Sequence, residues 1–155
     1  MLENLIYDRT SSNVQTLNEL KHLRYQDMTD AQKQAWIDNI KGCYRYTDLN
    51  RVEQAVAYLE NFIVDRGFSI TLQPTKTWTK YDYPTESDMK RYLANIKAIR
   101  DLNLVLKDTP LAPTNVNINY VDANAIEKIL HDVEKVLIGI VDTYVYSGEM
   151  YCGGY

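Results

Sequence analysis

Histidine, cysteine and phenylalanine are each present only twice in this 155-residue sequence. The two thiols, Cys43 and Cys152, lie far apart. They make no disulfide framework and fit a protein made in a reducing compartment. Two histidines, His22 and His131, leave little from which to build a metal centre, which needs three or four ligands at reachable spacing. Long apolar runs are missing too. Beyond the first residues the longest is "VLIGIV", far too short to span a bilayer. The opening "MLENLIYDRT" has an early acid and no apolar stretch, so no secretory signal is expected. The net charge is −4, which argues against broad binding to nucleic acid or anionic lipid, since that needs clustered positive charge. No glycine-rich phosphate loop, serine elbow or metalloprotease motif occurs.

What is present suits a globular protein. Hydrophobic residues make up 45% and charged residues 25%. The length predicts one domain over 1–155 with a sizeable core. Thirteen tyrosines are the compositional oddity. Tyrosine has an apolar ring and a polar tip, so these side chains either edge the core or serve an interface. Four of them, Tyr144, Tyr146, Tyr151 and Tyr155, crowd into the end of the chain beside Gly148, Gly153 and Gly154. Residues 147–155 read as a Tyr/Gly-rich tail, and these four rings are candidate interaction residues.

The patterning predicts a mainly α fold, a bundle of about five helices with three long ones. "SSNVQTLNELKHL" has Ser12 and Gln15 at capping-box spacing and Val14, Leu17 and Leu20 on one face. "TDAQKQAWIDNIKG" repeats the device with Thr29 and Gln32, would be pinned by Trp36, Ile37 and Ile40, and stops at Gly42. A third helix runs from a Thr47 cap to Gly67, with Leu49, Val52, Val56, Leu59 and Ile63 as its stripe. A fourth follows Pro84 with Thr85 as cap and Met89, Tyr92, Leu93, Ile96 and Ile99 facing inward. The fifth, from Asp122 to about Tyr146, carries Ile126, Leu130, Val133, Leu137, Ile140 and Tyr144. Gly139 inside it costs about 1 kcal/mol relative to Ala and predicts a close neighbour there. Between the third and fourth helices, "FSITLQPTKTWTKYDYP" alternates and is rich in Thr, Ile and aromatics, which predicts a small β-hairpin turning near Pro74. An internal echo links Asp48, Asn50, Val52 and Glu53 with Asp122, Asn124, Ile126 and Glu127 in register. Two well-made helix starts account for the acids.

Candidates for chemistry are few. Glu127, His131 and Glu134 share one helical face, but a metal would need a further His or Cys from elsewhere. Cys43 follows a helix end, where the dipole disfavours a thiolate. Lys90, Arg91, Lys97 and Arg100 decorate the fourth helix as a solvated face would. Trp78, Tyr81 and Tyr83 could stack on a sugar ring, or Trp78 could cap the core beneath the hairpin. The expectation is a protein that is no enzyme and has no catalytic, cofactor-binding or metal-binding residue. A carbohydrate-binding module using Trp78, Tyr81 and Tyr83 is the alternative.

"YTDLNRVEQAVAYL" resembles the T-D-x-N-R-[VI]-E helix start that recurs in small tail-region proteins of tailed bacteriophages and prophages. "WTKYDYPTESDMKRYLANIKAIRD" resembles the segment that follows in those proteins: a Trp, a Pro-Thr, then a Y-L-x-N-[IV]-x-A-[IL]-R helix. "YSGEMYCGG" is similar to their Y-S-G-E ending. The resemblance covers about half of the chain. It implies a virion component of a tail or baseplate, made in the bacterial cytoplasm and acting in structure, assembly or attachment through neighbouring tail proteins or copies of itself. No catalytic residue comes with it, and no nucleic-acid or membrane partner is implied.

Overall fold

A computed structural model of the chain describes the backbone of residues 2–148 and the side chains of residues 2–140. Five α-helices form: α1 Ser11–Leu20, α2 Asp30–Asp38, α3 Tyr46–Asp65, α4 Glu86–Asp101 and α5 Tyr120–Gly148. Single 3-10 turns at Tyr25–Asp27 and Ile40–Gly42 flank α2. No helix among the described residues is long and apolar enough to cross a membrane.

The helix starts follow local chemistry, at positions shifted from the sequence reading. Thr10, with an extended backbone, caps α1 and exchanges bonds with Asn13, so the box is Thr10/Asn13 and not Ser12/Gln15. Gln15 instead bonds Glu19 one turn on. The Thr29/Gln32 box forms as its spacing predicts, and Thr85 caps α4 as expected, exchanging bonds with Asp88. Thr47 does not cap α3. The helix starts one residue earlier, and Asp48 closes its first turn by accepting from the Arg45 amide at 2.8 Å. The side chain of Asn119 likewise accepts from the amides of Val121 and Asp122, so α5 begins before Asp122. At the other end of α3, Gly67 takes the left-handed conformation (φ 81°). The amides of Gly67 and Phe68 then reach back to the carbonyls of Val64 and Ile63, the paired closure that glycine permits after a helix.

The three long stripes meet as one core. Leu49, Val52, Val56, Leu59 and Ile63 of α3 pack with Met89, Tyr92, Leu93, Ile96 and Ile99 of α4 and with Ile126, Ile129, Leu130, Val133 and Leu137 of α5. By contrast α2 buries no residue, and Ile37 faces solvent. Arg51 meets Glu127 and Tyr58 meets Glu134, so α3 and α5 run in the same direction. Arg91 of α4 meets Glu53 of α3. Leu72 and Gln73 are held at Glu60 of α3 and Asn95 of α4, further along both helices. All three long helices are therefore parallel. Short loops join antiparallel neighbours; here the chain returns each time through a long extended segment, 66–85 and then 102–119.

The β-hairpin expected over 68–84 does not form, and the described residues contain no strand. The segment is extended, as its alternation suggested, but it has no partner strand. The backbone groups of Leu72, Gln73, Pro74 and Trp78 are taken by side chains of α3 and α4. Buried main-chain groups need a partner, and helix side chains satisfy that need as well as a ladder does.

Gly42 has a role that its position in the sequence concealed. A Cβ there would lie 2.7 Å from the carbonyl carbon of Asn13 and 2.9 Å from the amide nitrogen of Val14. Gly42 is where the second 3-10 turn touches the backbone of α1. Gly42→Ala is expected to push α1 away and lower stability by about 1–3 kcal/mol, the usual penalty of overpacking; urea unfolding measures it. Gly139 is the opposite case. A Cβ on it would meet no heavy atom of the described residues within 4 Å.

Candidate functional site

The most concentrated chemistry lies where the first residues of the chain cross α5. Residues 2–9 run antiparallel to that helix and are caught at intervals by its side chains. The Leu2 amide donates to both carboxylate oxygens of Glu134 at 3.0 and 2.9 Å. The Ile6 amide donates to Glu127 at 2.6 Å. The Arg9 amide donates to Asn124 Oδ1 at 3.0 Å, and Asn124 Nδ2 returns a bond to the Arg9 carbonyl at 2.8 Å.

The side chain of Arg9 then turns into the protein. Its Nη2 donates to Glu127 at 2.7 Å and to Asp48 at 3.1 Å. Its other nitrogens are taken by the carbonyls of Lys41 and Ile6. Arg51 bonds the same two acids, at 2.5 Å to Asp48 and at 2.7 and 2.8 Å to Glu127. Two guanidiniums and two carboxylates thus neutralise one another with Arg9, Asp48 and Glu127 buried. Burial works against the Arg51 charge, and Glu127 and Asp48 more than offset it, so Arg51 is held more firmly protonated than usual. Glu127 accepts from Ile6, Arg9 and Arg51 together, which engages the lone pairs of both its oxygens. Such a carboxylate positions its neighbours.

The same device recurs on α3. Asn50 Nδ2 donates to the Trp78 carbonyl, and the Trp78 amide donates to Asn50 Oδ1, both at 2.7 Å. One turn on, Glu53 accepts from Trp78 Nε1 at 3.3 Å and from Arg91. In each copy the asparagine grips the main chain of an extended residue, and the glutamate three positions later takes that residue's side chain. The sequence echo between 48–53 and 122–127 is therefore more than two good helix starts. Its asparagines and glutamates do matched work. α4 carries half the device: Asn95 pairs with the amide and carbonyl of Gln73 at 2.8 and 2.9 Å. These clamp residues were legible only as polar letters inside helices, and the signal for them was an Asn-x-x-Glu spacing repeated in register.

The sequence-predicted sites are distributed otherwise than expected. Trp78 is 2% exposed, whereas Tyr81 and Tyr83 are 76% and 89% exposed. The three do not form one platform, and Trp78 has no free face for a sugar. Tyr144 and Tyr146 fall on the helical backbone of α5, with their side chains outside the described set; Tyr151 and Tyr155 lie outside the described residues altogether. Glu127, His131 and Glu134 are drawn to separate tasks. His131 bonds Asp132 at 3.0 Å and packs against Tyr7, while Glu134 holds Leu2. No group of three or more His, Cys, Asp or Glu among the described residues could hold a metal. On α4, Arg91 and Arg100 are used internally, by Glu53 and by the Pro110 carbonyl, so only part of that basic face is free for a ligand.

Two further polar features bear on pH. Burial pushes the phenols of Tyr44 and Tyr92 up, and their hydroxyls share a 2.6 Å bond under the α4 stripe. At the start of α4, bonds from the Thr85 side chain and main chain lower Asp88 from 3.8 to about 2. A depressed folded pKa means that this contribution is complete above pH 3.8 and is lost as pH falls toward 2. Asp88→Asn is expected to flatten the acid limb of a stability-against-pH curve between those values, read by thermal unfolding.

No protein-family model, curated protein or solved structure matches the chain.

Proposed function

We propose that this chain is a non-enzymatic structural or adaptor component of a bacteriophage or prophage tail or baseplate, working through protein–protein contacts. The observation behind this reading is how the two motif-bearing segments meet. Asn50 and Glu53 of "TDLNRVE" hold Trp78 of the second segment, and Asn95 and Arg91 of "KRYLAN" hold the segment's approach at Gln73 and Pro74. The residues that carry the resemblance form one interlocked scaffold, which supports a shared architectural module in place of a shared active site. Exposed tyrosines gather where the three parallel helices begin. Tyr46 stands at the start of α3, Tyr81 and Tyr83 before α4, with Val121 at the start of α5. An end face of this composition suits contact with a neighbouring subunit. The chain would be made in the host cytoplasm and end in the virion.

Peptide mass spectrometry on purified particles from the bacterium that encodes the chain tests the proposal. The expected result is a fixed ratio of this chain to the tail subunits. Finding it in the lysate and never in particles would overturn the reading.

A further inference from the structure

The end at which the long helices start also carries a groove. A cleft of about 200 Å³ between α1, Tyr44 and the residues before α5 is lined by Val14, Tyr44, Ile118 and Tyr120. It shares Tyr44 and Ile118 with a cleft of about 380 Å³ that continues past Pro84 and Met89. Across Val14 and Tyr120 it joins a third on the outer side of α1. These are three adjoining clefts, apolar and aromatic around Tyr44, Ile118 and Met89 and polar along Ser11, Gln15, Asn18 and Glu19 of α1.

We propose that this groove receives the C-terminal segment of a second copy of the chain, so that copies associate head to tail. This names a partner for the tail-component reading and rests on it only for the biological role. Residues 149–155, "EMYCGGY", bring Met150, Tyr151 and Tyr155 separated by glycines. They match the clefts around Tyr44, Ile118 and Met89, which offer apolar walls and ring faces. A chain's own segment cannot supply them. α5 holds 29 residues, about 42 Å of helix from Tyr120 to Gly148. Seven residues cover at most about 25 Å when fully extended. The groove lies at the first end of α5 and the segment leaves from the last, so the segment that fills a groove comes from another molecule. The helix register puts the last residue of α3 level with position 141, and the final turns of α5 therefore run on past the end of α3. Groove and segment sit on different patches, so the contact is heterologous and builds a ring or an open chain.

The test uses the purified full chain and two classes of variant. One fills or charges the groove at exposed positions, Asn117→Trp and independently Pro84→Glu. The other is Tyr151→Glu/Tyr155→Glu. Sedimentation velocity follows mass against concentration, with circular dichroism confirming unchanged helicity. The native chain is expected to grow beyond its 18.0 kDa monomer with concentration, and each variant alone to stay monomeric. An equimolar mixture of a groove variant and the tail variant should form a species of twice the monomer mass and no larger, because one good groove meets one good segment. A native chain that stays monomeric overturns the proposal. So does a tail variant that still self-associates, or a mixture that stays monomeric. No particles are involved, so this result stands apart from the test of virion membership.

Discussion

Arg9→Ala is expected to lower unfolding stability by about 3–5 kcal/mol, the penalty for removing one member of a buried ion cluster. Arg9 is one of two guanidiniums that bridge Asp48 and Glu127, with Arg45 at 4.0 Å from Asp48 besides, and its loss leaves Arg51 alone between the two acids. The carbonyls of Lys41 and Ile6 lose their donor as well. Arg9→Lys should recover little, since a point charge with three donors cannot reproduce the planar fork that meets two carboxylates and two carbonyls at once. Urea unfolding of the three proteins decides it. A change below about 1 kcal/mol for Arg9→Ala, well under the range for a buried pair, would mean that residues 2–9 are not seated on α5 in solution.

Trp78→Ala is expected to cost a similar amount, about 3–5 kcal/mol, for a different reason. Here the loss is a cavity left by a buried ring between α3 and α4. The bonds between Asn50 and the main chain of residue 78 survive the substitution, and Glu53 keeps Arg91. Trp78→Phe separates the two contributions. It keeps a six-membered ring and gives up the bond to Glu53 with the volume of the pyrrole part, so about 1–2 kcal/mol should be lost. Equal losses for Ala and Phe would place the energy in the polar bond and contradict the packing account.

The helices were legible because their information is local. The stripe of α3 is written in five apolar residues at 3-4-3-4 spacing, and all five are buried. The stripes of α4 and the middle of α5 follow the same rule. What sequence periodicity could not supply was the partner of the extended segments. Alternation in 68–84 reports an extended backbone with one covered side, and that is what forms; whether a strand or a helix does the covering is decided by Asn50, Glu60 and Asn95, none of them near in sequence. The ion cluster was hidden for the same reason. Arg9 precedes α1 and Glu127 lies 118 positions later. The caps of α1 and α3 lie two residues before the expected Ser12 and Thr47, at Thr10 and Arg45, because Asn13 and Asp48 close those first turns.

The clamp between Arg9 and α5 also sets an order of events during synthesis. The polymerising ribosome delivers residues at about 5–20 per second. Glu127 therefore emerges roughly 6–24 seconds after Arg9 at that pace, and Glu134 later still. Until then residues 2–9 have no carboxylate or amide to hold their main chain. α1 can coil, α3 can collect its returning segment, and Asp48 and the Lys41 carbonyl can already take the Arg9 side chain. Residues 2–9 are thus made long before the helix whose side chains hold their main chain.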